Sequence, residues 1–175
     1  PYRKGRSHST VVNLKQDLEK LGFRVSNKPN TKYGPSTEKK VKEFQKYYGL
    51  VVNGIADPVT LNKMNDILTN SLQKGSKHVD VIKLKEQLAK LGFKVSNNPN
   101  KNFGPATERQ LRNFQKKYKL AVNGIADEVT LKKLNSLVKN NKSSSAGKKN
   151  TSSKVRIVID AGHGGSDPGA KANKL

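Results

Sequence analysis

The sequence predicts a mainly α-helical chain: two tandem three-helix bundles, then a flexible linker and the first β-strand of a truncated α/β domain. Residues 5–68 align without gaps on residues 75–138, and more than half of the aligned positions are identical. Within each copy, apolar residues recur at helical spacing. Near the carboxyl end, a β-branched run over residues 155–160 leads into a glycine-rich loop. The chain therefore combines a duplicated helical unit with the start of a different domain.

These patterns divide the chain into four segments. Residues 1–70 and 71–138 form the two repeats. Residues 139–154 are largely Lys, Asn and Ser with no apolar periodicity, which predicts a solvated, flexible tether. Residues 155–175 are the truncated start of the last domain, and we expect poor order there because a single strand lacks sheet partners. The absence of cysteine excludes a disulfide framework and a thiolate metal site.

The first helix of each repeat is predicted by leucines at spacings of four and three, over about residues 11–21 in the first copy. Gly22 and Gly92 follow where a left-handed residue commonly ends a helix. Phe23 and Phe93 come next as apolar closing residues. The predicted buried leucines are Leu14, Leu18 and Leu21 in repeat 1, and Leu84, Leu88 and Leu91 in repeat 2.

The second and third helices have recognisable starts. Gly34-Pro35 and Gly104-Pro105 place proline in the first turn of the second helix. Asp57 and Asp127 are the expected N-caps of the third helix. The predicted buried stripes are Val41, Phe44 and Tyr48, then Leu61, Met64 and Ile67 in repeat 1; Leu111, Phe114 and Tyr118, then Leu131, Leu134 and Leu137 in repeat 2.

Polar residues shared by both copies are candidates for ligand binding, chiefly in residues 27–38 and 97–108. Their Asn and Pro content also suits local turn geometry. Gln45 and Gln115 follow core phenylalanines and fit either a buried hydrogen-bonding role or a ligand contact. The candidate ligand contacts are Asn27, Asn30, Tyr33, Asn97, Asn100 and Phe103.

His8 and His78 occupy equivalent positions just before the first helix of each repeat. A metal site needs several ligands, and each copy supplies one histidine without a clustered acidic or cysteine partner. A capping or surface role is therefore favoured for both histidines.

Both repeats resemble a known domain. The strings KGSKHVDVIKLKEQLAKLGF and FGPATERQLRNFQKKYKLAVNGIADEVTLKKL are similar to the three-helix peptidoglycan-binding domains found beside many cell-wall hydrolases. The resemblance implies peptidoglycan as the partner and the bacterial cell wall, after secretion, as the location. The sequence itself has no transmembrane run and no signal segment. We expect a monomer.

The carboxyl end carries a second resemblance. The string IVIDAGHGGSDPGA resembles the first strand and first metal-ligand loop of zinc-dependent N-acetylmuramoyl-L-alanine amidases. It implies a parent autolysin that hydrolyses the amide between N-acetylmuramic acid and the L-alanine of the stem peptide. His163 corresponds to the first zinc ligand, and the family's other ligands lie further downstream. Catalytic zinc needs about three protein ligands, so we expect this chain alone to be inactive and to hold no zinc tightly.

The net charge of +22, from 35 Lys and Arg against 13 Asp and Glu, predicts a polyanion partner. At a cell wall the polyanions are teichoic acids and peptidoglycan carboxylates. Two alternatives stay open: a phage or spore-associated lysin of the same chemistry, and a basic nucleic-acid-binding repeat protein without an enzymatic role. The few aromatic residues, assigned mostly to cores, leave no clear stacking platform for single-stranded nucleic acid.

Overall fold

The computed structural model describes residues 1–70 and 72–146, which form two successive three-helix bundles. This part of the chain contains isolated antiparallel bridges, such as that between Tyr2 and Ala56, but no β-strand. The mainly α class is confirmed, whereas the predicted strand at 155–160 lies outside the described residues. The helices are α1 (Thr10–Lys20), α2 (Pro35–Tyr47), α3 (Pro58–Leu68), α4 (Asp80–Lys90), α5 (Pro105–Lys117) and α6 (Glu128–Ala146).

Helices α1 and α4 end at the predicted glycines. Gly22 and Gly92 have φ angles of 91° and 89°, in the left-handed region that glycine adopts without strain. The chain then turns back, so that the Phe23 N–H donates to the Leu18 carbonyl at 2.7 Å. This turn places each phenylalanine edge-on against the next core ring: Phe23 lies 5.5 Å from Phe44, and the corresponding pair in repeat 2 is 5.6 Å apart.

The starts of the third helices are also as predicted. The Asp57 carboxylate accepts the Thr60 N–H at 2.8 Å, and Asp127 accepts the Thr130 N–H at 2.8 Å. Each bond satisfies an N–H that has no partner within the helix. These caps therefore fix where the third helix of each repeat begins.

Each bundle has its own apolar core. Burying one large apolar side chain contributes about 1.5–3 kcal/mol, so these clusters supply the main stabilisation of units this small. The core of repeat 1 also takes in Ile125, with Ala121 and Val129 packed against it, all from repeat 2. The fully buried large apolar side chains are Leu18, Leu21, Tyr33 and Phe44 in repeat 1, and Leu84, Leu88, Phe103, Leu111, Phe114 and Leu134 in repeat 2.

The predicted start of the tether at residue 139 is wrong. Helix α6 continues through Ala146, so residues 139–146 are helical. The apolar part of α6 is anchored by Leu134 and Val138, both buried. Once a helix is nucleated, each further residue adds one hydrogen bond, which allows α6 to propagate into a polar segment. Residues 147–154 lie outside the described part of the chain.

Candidate functional site

The segments predicted to bind ligand, residues 27–38 and 97–108, each begin in a loop that a buried lysine fastens. We call residues 24–33 and 94–103 the asparagine loops. The Lys15 Nζ donates to the Asn30 backbone carbonyl at 3.0 Å, to the Asn30 Oδ1 at 2.8 Å and to the Lys32 carbonyl at 2.7 Å. Lys85 makes the same three bonds to Asn100 and Asn102. Desolvation lowers the pKa of both ammonium groups. Sequence reasoning missed this lysine, which lies next to a core leucine on the helix.

The six predicted ligand contacts therefore divide into three pairs. Asn27 and Asn97 are exposed, whereas the Oδ1 atoms of Asn30 and Asn100 are engaged by the lysines. Tyr33 and Phe103, each 1% exposed, are core residues. Their rings have no free face for a ligand, which corrects their selection as binding residues. The Tyr33 hydroxyl instead donates to the Gly54 carbonyl at 2.7 Å.

Gln45 and Gln115 are buried hydrogen-bonding residues, which decides between the two predicted roles. The Gln45 Nε2 donates to the Asn53 Oδ1 at 2.9 Å, and its Oε1 accepts the Gly54 N–H at 2.9 Å. Gln115 makes the equivalent bonds at 2.8 Å and 2.9 Å. Both side chains are fully buried. Each glutamine therefore fixes the conformation of the Val-Asn-Gly-Ile-Ala-Asp loop ahead of the third helix.

The histidines act as caps, which confirms the favoured role. The His8 Nδ1 accepts the Thr10 N–H at 3.2 Å, and the His78 Nδ1 accepts the Asp80 N–H at 3.2 Å. Each imidazole thus satisfies a backbone donor at the start of α1 or α4.

A glutamate held between two cations recurs in both repeats. Glu38 lies 3.7 Å from Lys4 and 2.8 Å from Lys42, and a hydrogen bond from Lys42 lowers the pKa of its carboxyl. Glu108 lies 3.3 Å from Lys74 and 3.1 Å from Arg112. Burial opposes ionisation of Glu108, but the bonds from Arg112 and Lys74 outweigh it and lower its pKa. Each cluster carries one more positive charge than negative charge.

In repeat 2 this cluster borders a cavity of about 340 Å³ between the repeats, here called the inter-repeat cleft. Repeat 1 contributes Lys20 and Leu68, and repeat 2 contributes Gln73, Lys74, Glu108, Arg112, Asn123, Gly124 and Ile125. The lining therefore combines apolar side chains with three cations and one carboxylate: Lys74 and Arg112 are both paired with Glu108, and Lys20 is paired with Asp17 at 3.1 Å. The cleft exists only when the two repeats are packed together.

The packing that creates the cleft is a set of direct contacts between the repeats. The Tyr48 hydroxyl donates to the Asp127 Oδ2 at 2.7 Å, and the Tyr47 hydroxyl accepts the Ala121 N–H at 3.1 Å. Lys63 forms an ion pair with Glu128 at 2.6 Å. Because Tyr48 and Asp127 are both buried, this hydrogen bond is protected from water. We call these contacts, together with the shared apolar packing, the joint.

The arrangement suits binding of an anionic polymer. Lysine ammonium and arginine guanidinium groups form charge-assisted bonds with carboxylates and phosphates. The apolar lining offers contact to methyl or methylene groups on the same ligand. None of the helices in residues 1–70 and 72–146 has the length and apolar character needed to cross a bilayer.

Two tandem helical bundles with a cationic cleft between them define a binding module. The comparison with protein families then identifies which kind. The model described as "Putative peptidoglycan binding domain" matches residues 7–64 and 77–134, which is more than half of the chain, so the chain belongs to that family. Membership supports peptidoglycan as the partner and association with the cell wall. The search of curated proteins and the search of solved structures both found no match.

Proposed function

We propose that the chain is the wall-binding part of a zinc-dependent N-acetylmuramoyl-L-alanine amidase, and that the inter-repeat cleft holds an anionic group of the wall. The observation that carries the binding proposal is the cleft, which borders a cationic cluster and is lined by both repeats of a peptidoglycan-binding family. Stem-peptide carboxylates and teichoic-acid phosphates present the complementary charge. N-acetyl groups of the glycan supply methyl groups for the apolar lining.

The tandem arrangement supports tighter binding than one repeat would give. If each repeat also contacts the wall, their linkage in one chain raises the effective concentration of the second repeat once the first has bound. The net charge of +22 adds a sequence-independent attraction to any polyanion. Specific binding to the wall is therefore distinguished from general polycation behaviour by its resistance to salt.

The test is co-sedimentation of the full chain with purified sacculi across a salt series, with and without teichoic acids and with DNA as competitor. The variant Lys20→Ala with Lys74→Ala removes two charges from the cleft. Its matched control, Lys4→Ala with Lys90→Ala, removes the two lysines 70 positions away, Lys4 as the counterpart of Lys74 and Lys90 as the counterpart of Lys20. Because Lys20 and Lys74 are mostly exposed, each charged contact is worth about 0.7 kcal/mol, so the loss of both lowers the affinity for sacculi about tenfold in the cleft variant.

The outcomes separate the alternatives. Retention on stripped sacculi at high salt, lost in the cleft variant and kept in the control, supports the proposal. A loss only on sacculi that carry teichoic acids assigns the cleft to phosphate. Equal losses in both variants, with equal displacement by DNA, would mean that charge alone drives binding and would favour the nucleic-acid alternative.

The amidase part of the proposal is supported by the string IVIDAGHGGSDPGA, in which His163 is the proposed first zinc ligand. His163 lies outside the described residues. Bound zinc in such enzymes polarises the amide carbonyl and activates a water molecule. The proposed contribution of the two repeats is to keep the catalytic domain near uncleaved bonds.

The amidase proposal is tested by reading the coding sequence beyond residue 175. A glutamate and a second histidine downstream are expected, together with release of stem peptides from sacculi by the longer protein. His163→Ala in that protein should abolish release without reducing wall binding. A stop codon directly after Leu175 would contradict the amidase proposal and leave the binding proposal standing.

A further inference from the structure

One surface occurs twice in the chain, and within residues 1–70 and 72–146 only one of its two copies is covered. We call residues 51–59 of repeat 1, and residues 121–129 of repeat 2, the loop face of each repeat. We call the ends of the first two helices the aromatic edge. In repeat 2 the loop face is covered by the aromatic edge of repeat 1 through the joint. The aromatic edge consists of Gly22, Phe23, Tyr47 and Tyr48 in repeat 1, and of Gly92, Phe93, Lys117 and Tyr118 in repeat 2.

The uncovered loop face of repeat 1 exposes apolar side chains. Val51 is 78% exposed and Val59 is 64% exposed. Their counterparts Ala121 and Val129 pack against the core of repeat 1. Val52 is 49% exposed, but its counterpart Val122 is also 39% exposed, so Val51 and Val59 are the side chains that differ between the two faces. Exposed apolar side chains whose counterparts are packed in an interface indicate a surface that a partner can cover.

Most of the groups that form the joint are retained on this free face, but Pro58 replaces Glu128, so the ion pair to Lys63 has no counterpart there. Ile55, Asp57 and Val59 are the same residue types as their counterparts in repeat 2. The free face also has the same backbone conformation, because Gly54 and Gly124 share a φ of 73° and the two glutamines make equivalent bonds. The loop face of repeat 1 therefore has the conformation that contacts an aromatic edge even without a partner.

We propose that the loop face of repeat 1 docks a further three-helix repeat whose second helix ends in two tyrosines, as that of repeat 1 does. One tyrosine hydroxyl would donate to the Asp57 carboxylate. The other would accept the Val51 N–H, as Tyr47 accepts the Ala121 N–H at 3.1 Å. This interface is continuous with the joint and extends the tandem array by one unit.

A second copy of this chain does not supply that partner. Its repeat 1 edge is already occupied by its own repeat 2. The edge of its repeat 2 has Lys117 where repeat 1 has Tyr47, which removes one hydroxyl and adds a charge. Lys117 also lies over the Phe93 ring at 5.3 Å and the Tyr118 ring at 5.8 Å. The wild-type chain is therefore expected to stay monomeric.

The first test restores the tyrosine pair. Lys117→Tyr should convert the chain into one that associates head to tail, because the repeat 2 edge then fits the repeat 1 face of the next copy. Val51→Ala is combined with it in a second variant, since Ala121 occupies that position in the joint. Sedimentation in at least 0.3 M salt screens the repulsion between copies. Mass is expected to rise with concentration above the 19.3 kDa of the monomer.

Two controls make the result specific. Lys83→Tyr introduces the same change at an exposed position on α4 and should leave the chain monomeric. Adding Val59→Lys to Lys117→Tyr should abolish association. Monomers for both tyrosine variants at high protein concentration, with helical content unchanged, would overturn the proposal. Association that survives Val59→Lys would also overturn it, since contact would then lie elsewhere.

A second measurement does not depend on Lys117. A copy of residues 1–70 is fused directly before Pro1, which reproduces the connection between the two natural repeats. Hydrogen exchange in residues 51–59 of the original repeat 1, not those of the added copy, should then slow to the rate of residues 121–129 in the same protein. Exchange in residues 51–59 that is no slower than in the unfused chain would contradict docking.

Discussion

The two Val-Asn-Gly-Ile-Ala-Asp loops are identical in sequence and differ in burial. In repeat 2, Asn123, Ile125 and Asp127 are buried. In repeat 1, Asn53 is exposed and Ile55 is half-buried. The hydrogen bonds inside the two loops are nevertheless equivalent, with Gln45 and Gln115 making the same set. Local sequence therefore decides the conformation of the loop, and the neighbouring repeat decides whether water reaches it.

The largest expected difference between the two repeats is in how their stability depends on alkaline pH. Burial raises the pKa of Tyr33 and Tyr48, and the nearby carboxylates of Glu38 and Asp127 raise the two values further. Repeat 2 has Phe103 at the position of Tyr33. Because an unfolded tyrosine ionises near pH 10 and these two do not, the folded state keeps its full stability below pH 10. Above that pH, the free energy of unfolding falls by about 1.4 kcal/mol per pH unit for each tyrosine.

Urea unfolding between pH 8 and pH 11 measures this loss. The fall in stability should be shallower in the Tyr48→Phe chain, which has one fewer buried tyrosine. An unchanged pH dependence in that variant would contradict a contribution of Tyr48 to the loss of stability above pH 10.

Tyr48→Phe at neutral pH tests the joint itself. The substitution removes the hydroxyl that donates to the buried Asp127 carboxylate at 2.7 Å. A hydrogen bond to a charged group contributes about 1.5–3 kcal/mol, and the free energy of unfolding should fall by that amount. Tyr118→Phe is the matched control at the uncovered edge, where a change within about 0.5 kcal/mol is expected. If the two substitutions lower the free energy of unfolding equally, the hydrogen bond from Tyr48 to Asp127 does not stabilise the joint.

The smallest expected difference in stability is between the variants Gly22→Ala and Gly92→Ala. Both glycines have φ near 90°, so each alanine introduces backbone strain of about 1 kcal/mol. A Cβ at Gly22 would also lie 3.2 Å from the Val122 backbone nitrogen across the joint, whereas one at Gly92 meets nothing within 4 Å. The loss should be about 1 kcal/mol greater for Gly22→Ala, because close contacts in a packed interface force a shift. Identical urea midpoints for the two variants would contradict the close approach at Gly22.

Much of the fold could be predicted from the sequence because local signals agreed with one another. Glycine after α1 and α4, proline at the start of α2 and α5, and the Asp57 and Asp127 caps each have a direct physical reason, and the structure has all of them. The length of α6 was not predictable from polarity, since helical hydrogen bonding continues without an apolar face.

The candidate site was harder to predict because its parts are distant in sequence. Tyr33 and Phe103 follow an asparagine-rich turn, which suggested exposure, yet the turn directs both into the core. Lys15 and Lys85 stand beside core leucines, and only the folded loop supplies their carbonyl partners. The joint pairs Tyr48 with Asp127 across 79 positions, a separation that periodicity within a repeat does not encode.

The buried lysines also affect how the chain should react with amine-directed reagents. Lys15 and Lys85 are each 5% exposed, and their ammonium groups are held by backbone and side-chain oxygens. In acylation the neutral amine attacks the acyl carbon of a reagent that arrives from solvent, so these two residues should be modified only after the asparagine loops open. The extent of their labelling would then report loop opening, while the exposed lysines report surface accessibility in the same sample.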